Sequence, residues 1–75
     1  MYKRQADARG ATFEQANLKY SIWNEAKLNF AVFDKSDLVG SSFENAEMKS
    51  VSLDNANLHY VVFTGANLDL SLIHI

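Results

Sequence analysis

The stretch Ala11-Thr12-Phe13-Glu14-Gln15-Ala16-Asn17-Leu18-Lys19-Tyr20-Ser21-Ile22-Trp23-Asn24-Glu25-Ala26-Lys27-Leu28 repeats a five-residue pattern. A small residue opens each unit and a bulky apolar one stands two places later. Stepping outward by five from Phe13, the bulky positions are Phe13, Leu18, Trp23, Leu28, Phe33, Leu38, Phe43, Met48, Leu53, Leu58, Phe63, Leu68 and Ile73. Large aliphatic residues, Phe and Trp fill only 24 of the 75 positions. An unbroken run of this length would therefore arise by chance on the order of once in a million, even with a free choice of register. The small positions hold Ala or Ser from Ala11 to Ser71, broken only by Val51 and Val61. Ala6 and Ala8 add a weaker unit at the start, so the repeats span about residues 6–75 and make one domain of residues 1–75.

Neither standard element accommodates this period. On an α-helix five residues advance about 500°, so the bulky positions would visit every face. On a flat strand an odd period sends successive bulky residues to opposite sides. The pattern is consistent only with a backbone that turns after every short extended segment. The small and bulky residues then both point inward, and the other three face outward or form the corner. A second modulation supports this. Every aromatic among the bulky positions falls in the set Phe13, Trp23, Phe33, Phe43, Leu53, Phe63 and Ile73, while the alternate set is Leu18, Leu28, Leu38, Met48, Leu58 and Leu68. Alternate walls would thus carry large and medium side chains, as interdigitated packing requires.

At Ala16-Asn17-Leu18, Ser36-Asp37-Leu38, Ala56-Asn57-Leu58 and Ala66-Asn67-Leu68 the chain resembles the A-(D/N)-L-x-x signature of pentapeptide-repeat proteins. That resemblance implies an all-β fold, a right-handed quadrilateral β-helix with four units per coil and about 3.5 coils here. At the ordinary inter-strand spacing it implies a rod about 17 Å tall. Residues one coil apart would stack, giving inward columns Phe13–Phe33–Leu53–Ile73, Leu18–Leu38–Leu58, Trp23–Phe43–Phe63 and Leu28–Met48–Leu68. Asn17, Asp37 and Asn57 would form an outer ladder hydrogen-bonding between coils.

Function must be sought on the outer walls. Residues following the aromatic-class centres include Glu14, Asp34, Glu44 and Asp54 and no base, whereas Arg9, Lys19 and Lys49 follow the other class. Glu14, Asp34 and Asp54 form one predicted acidic column that would face a basic partner surface. Tyr20, Gly40 and Tyr60 define one outer corner, and Phe30, Ser50 and Leu70 the opposite one, so Tyr20 and Tyr60 join the candidate partner surface. The C-terminal run Leu70-Ser71-Leu72-Ile73-His74-Ile75 is apolar and β-prone, with no charged stop. An open solenoid end exposes strand edges and core, so Leu70, Leu72, Ile73 and Ile75 are the candidate self-association interface. A two-fold homodimer through the last coil is the expected arrangement, and the resemblance implies it, since gyrase-binding members form such dimers. The polar Tyr2-Lys3-Arg4-Gln5 is expected to cap its own end.

Composition narrows the function classes. The chain has no cysteine and no proline, and its net charge is −2. His59 and His74 stand apart with no ligand spacing, and neither a phosphate-binding loop nor a nucleophile–base pair is present, so no catalytic residue, metal or cofactor is expected. No apolar run reaches spanning length and no leader pattern precedes the repeats, so a cytoplasmic protein without membrane contact is expected. The resemblance also brings in inhibition of DNA gyrase by a rod mimicking duplex DNA. A 17 Å length of duplex carries about ten charges, far more than this chain supplies, so DNA gyrase is a disfavoured partner and direct nucleic-acid binding is not expected. The favoured reading is a non-catalytic protein–protein interaction or scaffold module whose protein partner the sequence does not name. A repeat segment of a larger effector or phage structural protein is a further alternative.

Overall fold

A computed structural model describes residues 6–74, with the side chain of His74 excepted. The backbone alternates a short extended segment and a tight turn through every unit. In each turn the carbonyl of the bulky centre accepts the N–H of the next small residue, from Ala8 with Ala11 to Leu68 with Ser71, at 2.9–3.3 Å. The unit's fifth residue has positive φ throughout, from 57° at Gln15 to 74° at Gly10. A left-handed third turn residue is the mark of a type II turn, which explains why the chain bends sharply after only three extended residues.

Parallel bridges join residues one coil apart, including Asp7 with Lys27, Asn17 with Asp37, and Asp37 with Asn57. Only the last wall lengthens into regular strands. There β1 (Ser52–Asp54) and β2 (Leu72–His74) pair in parallel, with Leu53 opposite Ile73. The backbone hydrogen bonds between coils are 2.7–3.0 Å long and follow one rule. The N–H groups of the third and fifth residues of a unit donate upward, toward the C-terminal coil, as Phe13 does to Val32 and Gln15 to Asp34. The second residue donates downward, as Val32 does to Ala11.

The expected columns are present inside the coil. Phe13 stacks on Phe33 at 4.9 Å, Trp23 on Phe43 at 6.1 Å and Phe43 on Phe63 at 5.5 Å. Opposite walls meet edge to face, with Trp23 against Phe33 at 5.5 Å and Phe33 against Phe43 at 5.8 Å, the geometry that ring quadrupoles favour. Leu18, Leu28, Leu38, Met48 and Leu53 are buried in the same core as these rings. Phe13 at one end and Leu58, Phe63 and Leu68 at the other are only partly covered.

Trp23 brings a polar group into this core. Its indole N–H donates to the Ser21 hydroxyl at 2.7 Å, and the hydroxyls of Ser21 and Ser41 lie 2.7 and 2.9 Å from the Leu18 carbonyl oxygen. The serines at these small positions are therefore polar partners inside the coil as well as space-savers. Among the described residues no buried side-chain nitrogen or oxygen lacks a hydrogen-bond partner.

Two expectations need correction. Three and a half coils make a block of 23 × 22 × 20 Å across the Cα atoms, not a rod, because each square coil is about as wide as the stack is tall. The side chains of Asn17, Asp37 and Asn57 also form no hydrogen-bonded ladder with one another, although Asp37 pairs with Lys19 of the neighbouring coil. Each oxygen instead accepts the backbone N–H two residues ahead, at Lys19, Val39 and His59. Short Asn and Asp side chains reach this local donor more readily than the next coil, so the ladder at these positions belongs to the backbone. Tyr2–Gln5, the expected N-terminal cap, and Ile75 lie outside the described residues.

Candidate interaction surface

On the outer walls the inter-coil side-chain hydrogen bonds centre on a different part of the unit, the residue after the bulky centre. Asn24 accepts the Ser42 hydroxyl at 2.6 Å and the Glu44 N–H at 3.0 Å, and Asn29 accepts the Lys49 N–H at 2.9 Å. Asp34 behaves in the same way, accepting the Asp54 N–H at 3.0 Å and the Ser52 hydroxyl. Glu14, Asp34 and Asp54 occupy one outer column, but only Glu14 is exposed, and the other two are half-buried. The Asp34 carboxylate is engaged in clamping two coils together. Sequence reading missed this role because Asp34 has the same spacing as the exposed Glu14 and looks equivalent to it in one dimension.

Other charged pairs sit on the walls. Lys19 approaches Asp37 at 3.6 Å, and Arg9 holds Asp7 through two nitrogens at 2.9 Å. The Arg9 hydrogen bonds keep the Asp7 carboxyl below its ordinary range. Its contribution to stability is therefore present above the unfolded carboxylate pKa and lost as pH falls through the lowered value. With both groups in solvent that contribution is small.

The outer corners carry bulky residues in the left-handed conformation. Tyr20, Phe30, Tyr60 and Leu70 have φ between 59° and 68° and are all exposed, Tyr60 most of all at 87%. Tyr20 and Tyr60 share a corner but differ in surroundings. The Tyr20 ring lies across Gly40 in the coil above, so close that a Cβ on Gly40 would fall 2.6 Å from ring carbon Cδ1. Asn45 reaches over Gly65 in the same way, its Oδ1 lying 2.2 Å from the place of such a Cβ. Tyr60 lies in the last full coil, with no glycine above it among the described residues, and its ring is 6.4 Å from that of His59.

The C-terminal end is the most apolar part of the surface. Leu70, Leu72 and Ile73 are 75%, 68% and 44% exposed. A depression of about 370 Å³ opens over Ala56, Asn57, Leu58 and His59. Among the described residues no group of three or more His, Cys, Asp or Glu is placed to hold a metal ion.

The rule of coil pairing gives the two ends opposite character. At the C-terminal edge the N–H groups of Leu58, Tyr60, Phe63, Gly65, Leu68 and Leu70 and the carbonyls of Ala56, Val61 and Ala66 meet no backbone partner among the described residues. That is two donors and one acceptor per unit. At the N-terminal edge the carbonyls of Arg9, Thr12, Glu14, Asn17 and Lys19 and the N–H groups of Thr12 and Asn17 are similarly unmatched, giving two acceptors and one donor per unit. Edges of this kind are templates for pairing with another chain.

Comparison with known proteins agrees with this architecture. A family model described as pentapeptide repeats matches in eight copies, over residues 13–49 and 36–71. Among solved structures, a pentapeptide repeat protein from the thylakoid lumen of Arabidopsis thaliana is similar, with 26% identity and a TM-score of 0.75. The alignment covers 92% of this chain and 51% of that one, so the chain spans about half the length of that relative. No curated protein matches. Five-residue units, left-handed corners and matches across most of the repeats together place the chain in the pentapeptide-repeat family, a repeat fold that is generally non-catalytic and typically mediates protein interactions.

Proposed function

We propose that the chain is a non-catalytic protein-binding and scaffold module that associates with itself through its C-terminal coil. The observation carrying this reading is the C-terminal edge, where Leu72 and Ile73 are exposed and the core residues Leu58, Phe63 and Leu68 are only partly covered. An end face about 22 Å across offers roughly 450–500 Å² per copy. Two such faces bury about 1,000 Å², the lower bound for a specific interface, so reversible association at high concentration is expected rather than a permanent oligomer. Light scattering over a concentration series tests it. The mass should rise with concentration in the wild type, and Leu72→Asp and Ile73→Asp should each suppress the rise by placing a charge in the contact. A wild type that stays monomeric throughout, or the same mass in both variants, removes the proposal.

Duplex mimicry fits less well. The net charge is −2, the body is as wide as it is tall, and the Asp34 carboxylate clamps coils together.

A further inference from the structure

We propose that the corner carrying Tyr20, Gly40 and Tyr60 binds a proline-rich, basic segment of another protein in the polyproline II conformation. The proposal supplies a partner for the protein-binding reading above and rests on that part of it, not on self-association. Tyr20 and Tyr60 are 70% and 87% exposed. Tyr20 has the Gly40 coil directly above it, so exposure at this corner persists beneath a full coil. On the adjoining wall Ile22, Ser42 and Val62 follow the same order of large, small and large. Parallel bridges from Ile22 to Ser42 and from Ser42 to Val62 hold them in one column beside the corner. Bulky apolar contacts on this side of the molecule therefore recur at every second coil.

That interval selects the conformation of the ligand. At an inter-coil spacing of about 4.8 Å the two tyrosine positions lie about 9.6 Å apart. A polyproline II helix returns every third residue to the same face after about 9.3 Å. Two turns of an α-helix advance about 10.8 Å, and same-face residues of a β-strand recur at about 6.7 and 13.4 Å. A strand is excluded on a second ground. The N–H groups of Tyr20 and Gly40 are already spent on the carbonyls of Val39 and His59, so no new ladder can form along the corner.

The chemistry of the corner agrees with the spacing. A polyproline II backbone makes no internal hydrogen bonds, so its carbonyls need outside donors. Tyrosine offers an apolar ring to a proline and a hydroxyl donor at the rim of that ring. Neither Tyr20 nor Tyr60 uses its hydroxyl in a hydrogen bond to another described residue. Charge sets the flanking residues of the ligand. The wall that begins at this corner, residues 21–25, 41–45 and 61–65, carries exposed Glu25 and Glu44 and no Lys or Arg. Arg or Lys beside the prolines complements that wall. This chain has no proline, so the occupant is a different protein. The corner of Phe30, Ser50 and Leu70 repeats the order large, small, large, but with one aromatic ring and no ring hydroxyl, and it serves as an internal control.

Fluorescence anisotropy with a labelled peptide of nine prolines followed by two arginines tests the proposal. The comparison peptide keeps both arginines and replaces the prolines with alternating glycine and serine. The proline peptide should bind saturably with a Kd below about 1 mM, more weakly as salt rises, and the comparison peptide at least about fivefold more weakly. Tyr20→Ala and Tyr60→Ala should each weaken binding at least about fivefold, and Phe30→Ala should leave it unchanged. Tyr20→Phe and Tyr60→Phe keep the ring and lose the donor, so each should lose about twofold to threefold. Circular dichroism checks the fold of the alanine variants, and the phenylalanine variants carry the test where an alanine variant fails that check. Equal binding of the two peptides would mean attraction by charge alone, and binding that survives every tyrosine substitution would place the ligand elsewhere; either result overturns the proposal. A proline peptide that does not bind removes the proline-rich partner and leaves self-association to be decided by light scattering.

Discussion

Replacing Ser21 by Ala takes away the buried acceptor of the Trp23 indole N–H. Alanine already fills the equivalent small position in most units, so the substitution introduces no steric misfit. What it removes is the acceptor 2.7 Å from the Trp23 indole nitrogen, in a side chain with no solvent exposure. A buried donor left without a partner costs about 1–3 kcal/mol. The Ser41 hydroxyl keeps the Leu18 carbonyl at 2.9 Å, so the cost should come chiefly from the indole. For a domain of this size each kcal/mol shifts the midpoint by about 4–8 °C, so a fall of roughly 10 °C in Tm is expected. Far-ultraviolet circular dichroism follows unfolding in every variant, including those without Trp23, the single tryptophan. The control is the same substitution in a Trp23→Phe background, where no N–H remains to be stranded and Ser21→Ala should cost less than about 0.5 kcal/mol. Equal costs in the two backgrounds would refute the assignment of Ser21 as the partner of Trp23.

Further substitutions address the corners and walls. Phe30 is held at φ 68° and is exposed, so Phe30→Gly should raise stability by up to about 1 kcal/mol in a urea titration, relieved strain exceeding the entropy lost. Gly65→Ala should destabilise more than Gly10→Ala in the same titration at a concentration where the chain is monomeric, because both are left-handed but only the first meets a neighbour, the Asn45 side chain. Asp34→Ala should cost about 1.5–3 kcal/mol through loss of its hydrogen bonds to the next coil, whereas Glu14→Ala should stay within about 0.5 kcal/mol. Equal effects of the two would return Asp34 to the role of a free surface charge.

The acidic column shows where the one-dimensional pattern stops being informative. Glu14, Asp34 and Asp54 are equivalent by spacing, yet Asp34 has Ser52 and the Asp54 N–H within reach and is half-buried, while Glu14 is exposed. Asn17 and Asn24 are both outward asparagines, yet one bonds within its own unit and the other to the next coil. The difference lies in their place relative to the bulky centre, which sets whether the nearest unmatched donor is local or one coil away. Tyr20 and Tyr60 are likewise the same residue at the same corner, separated only by the presence of a glycine overhead.

The amino-acid sequence by itself determined the five-residue unit, the inward and outward positions and the alternation of large and medium walls. Those features depend on backbone period and side-chain volume, both of which can be read along one dimension. The tertiary structure decided which outward side chains fasten one coil to the next, how Trp23 finds a partner for its N–H, and the donor-rich and acceptor-rich character of the two ends. Each of these depends on which way an N–H, a carbonyl or a side chain points toward a residue one coil away, and a linear pattern carries no record of direction.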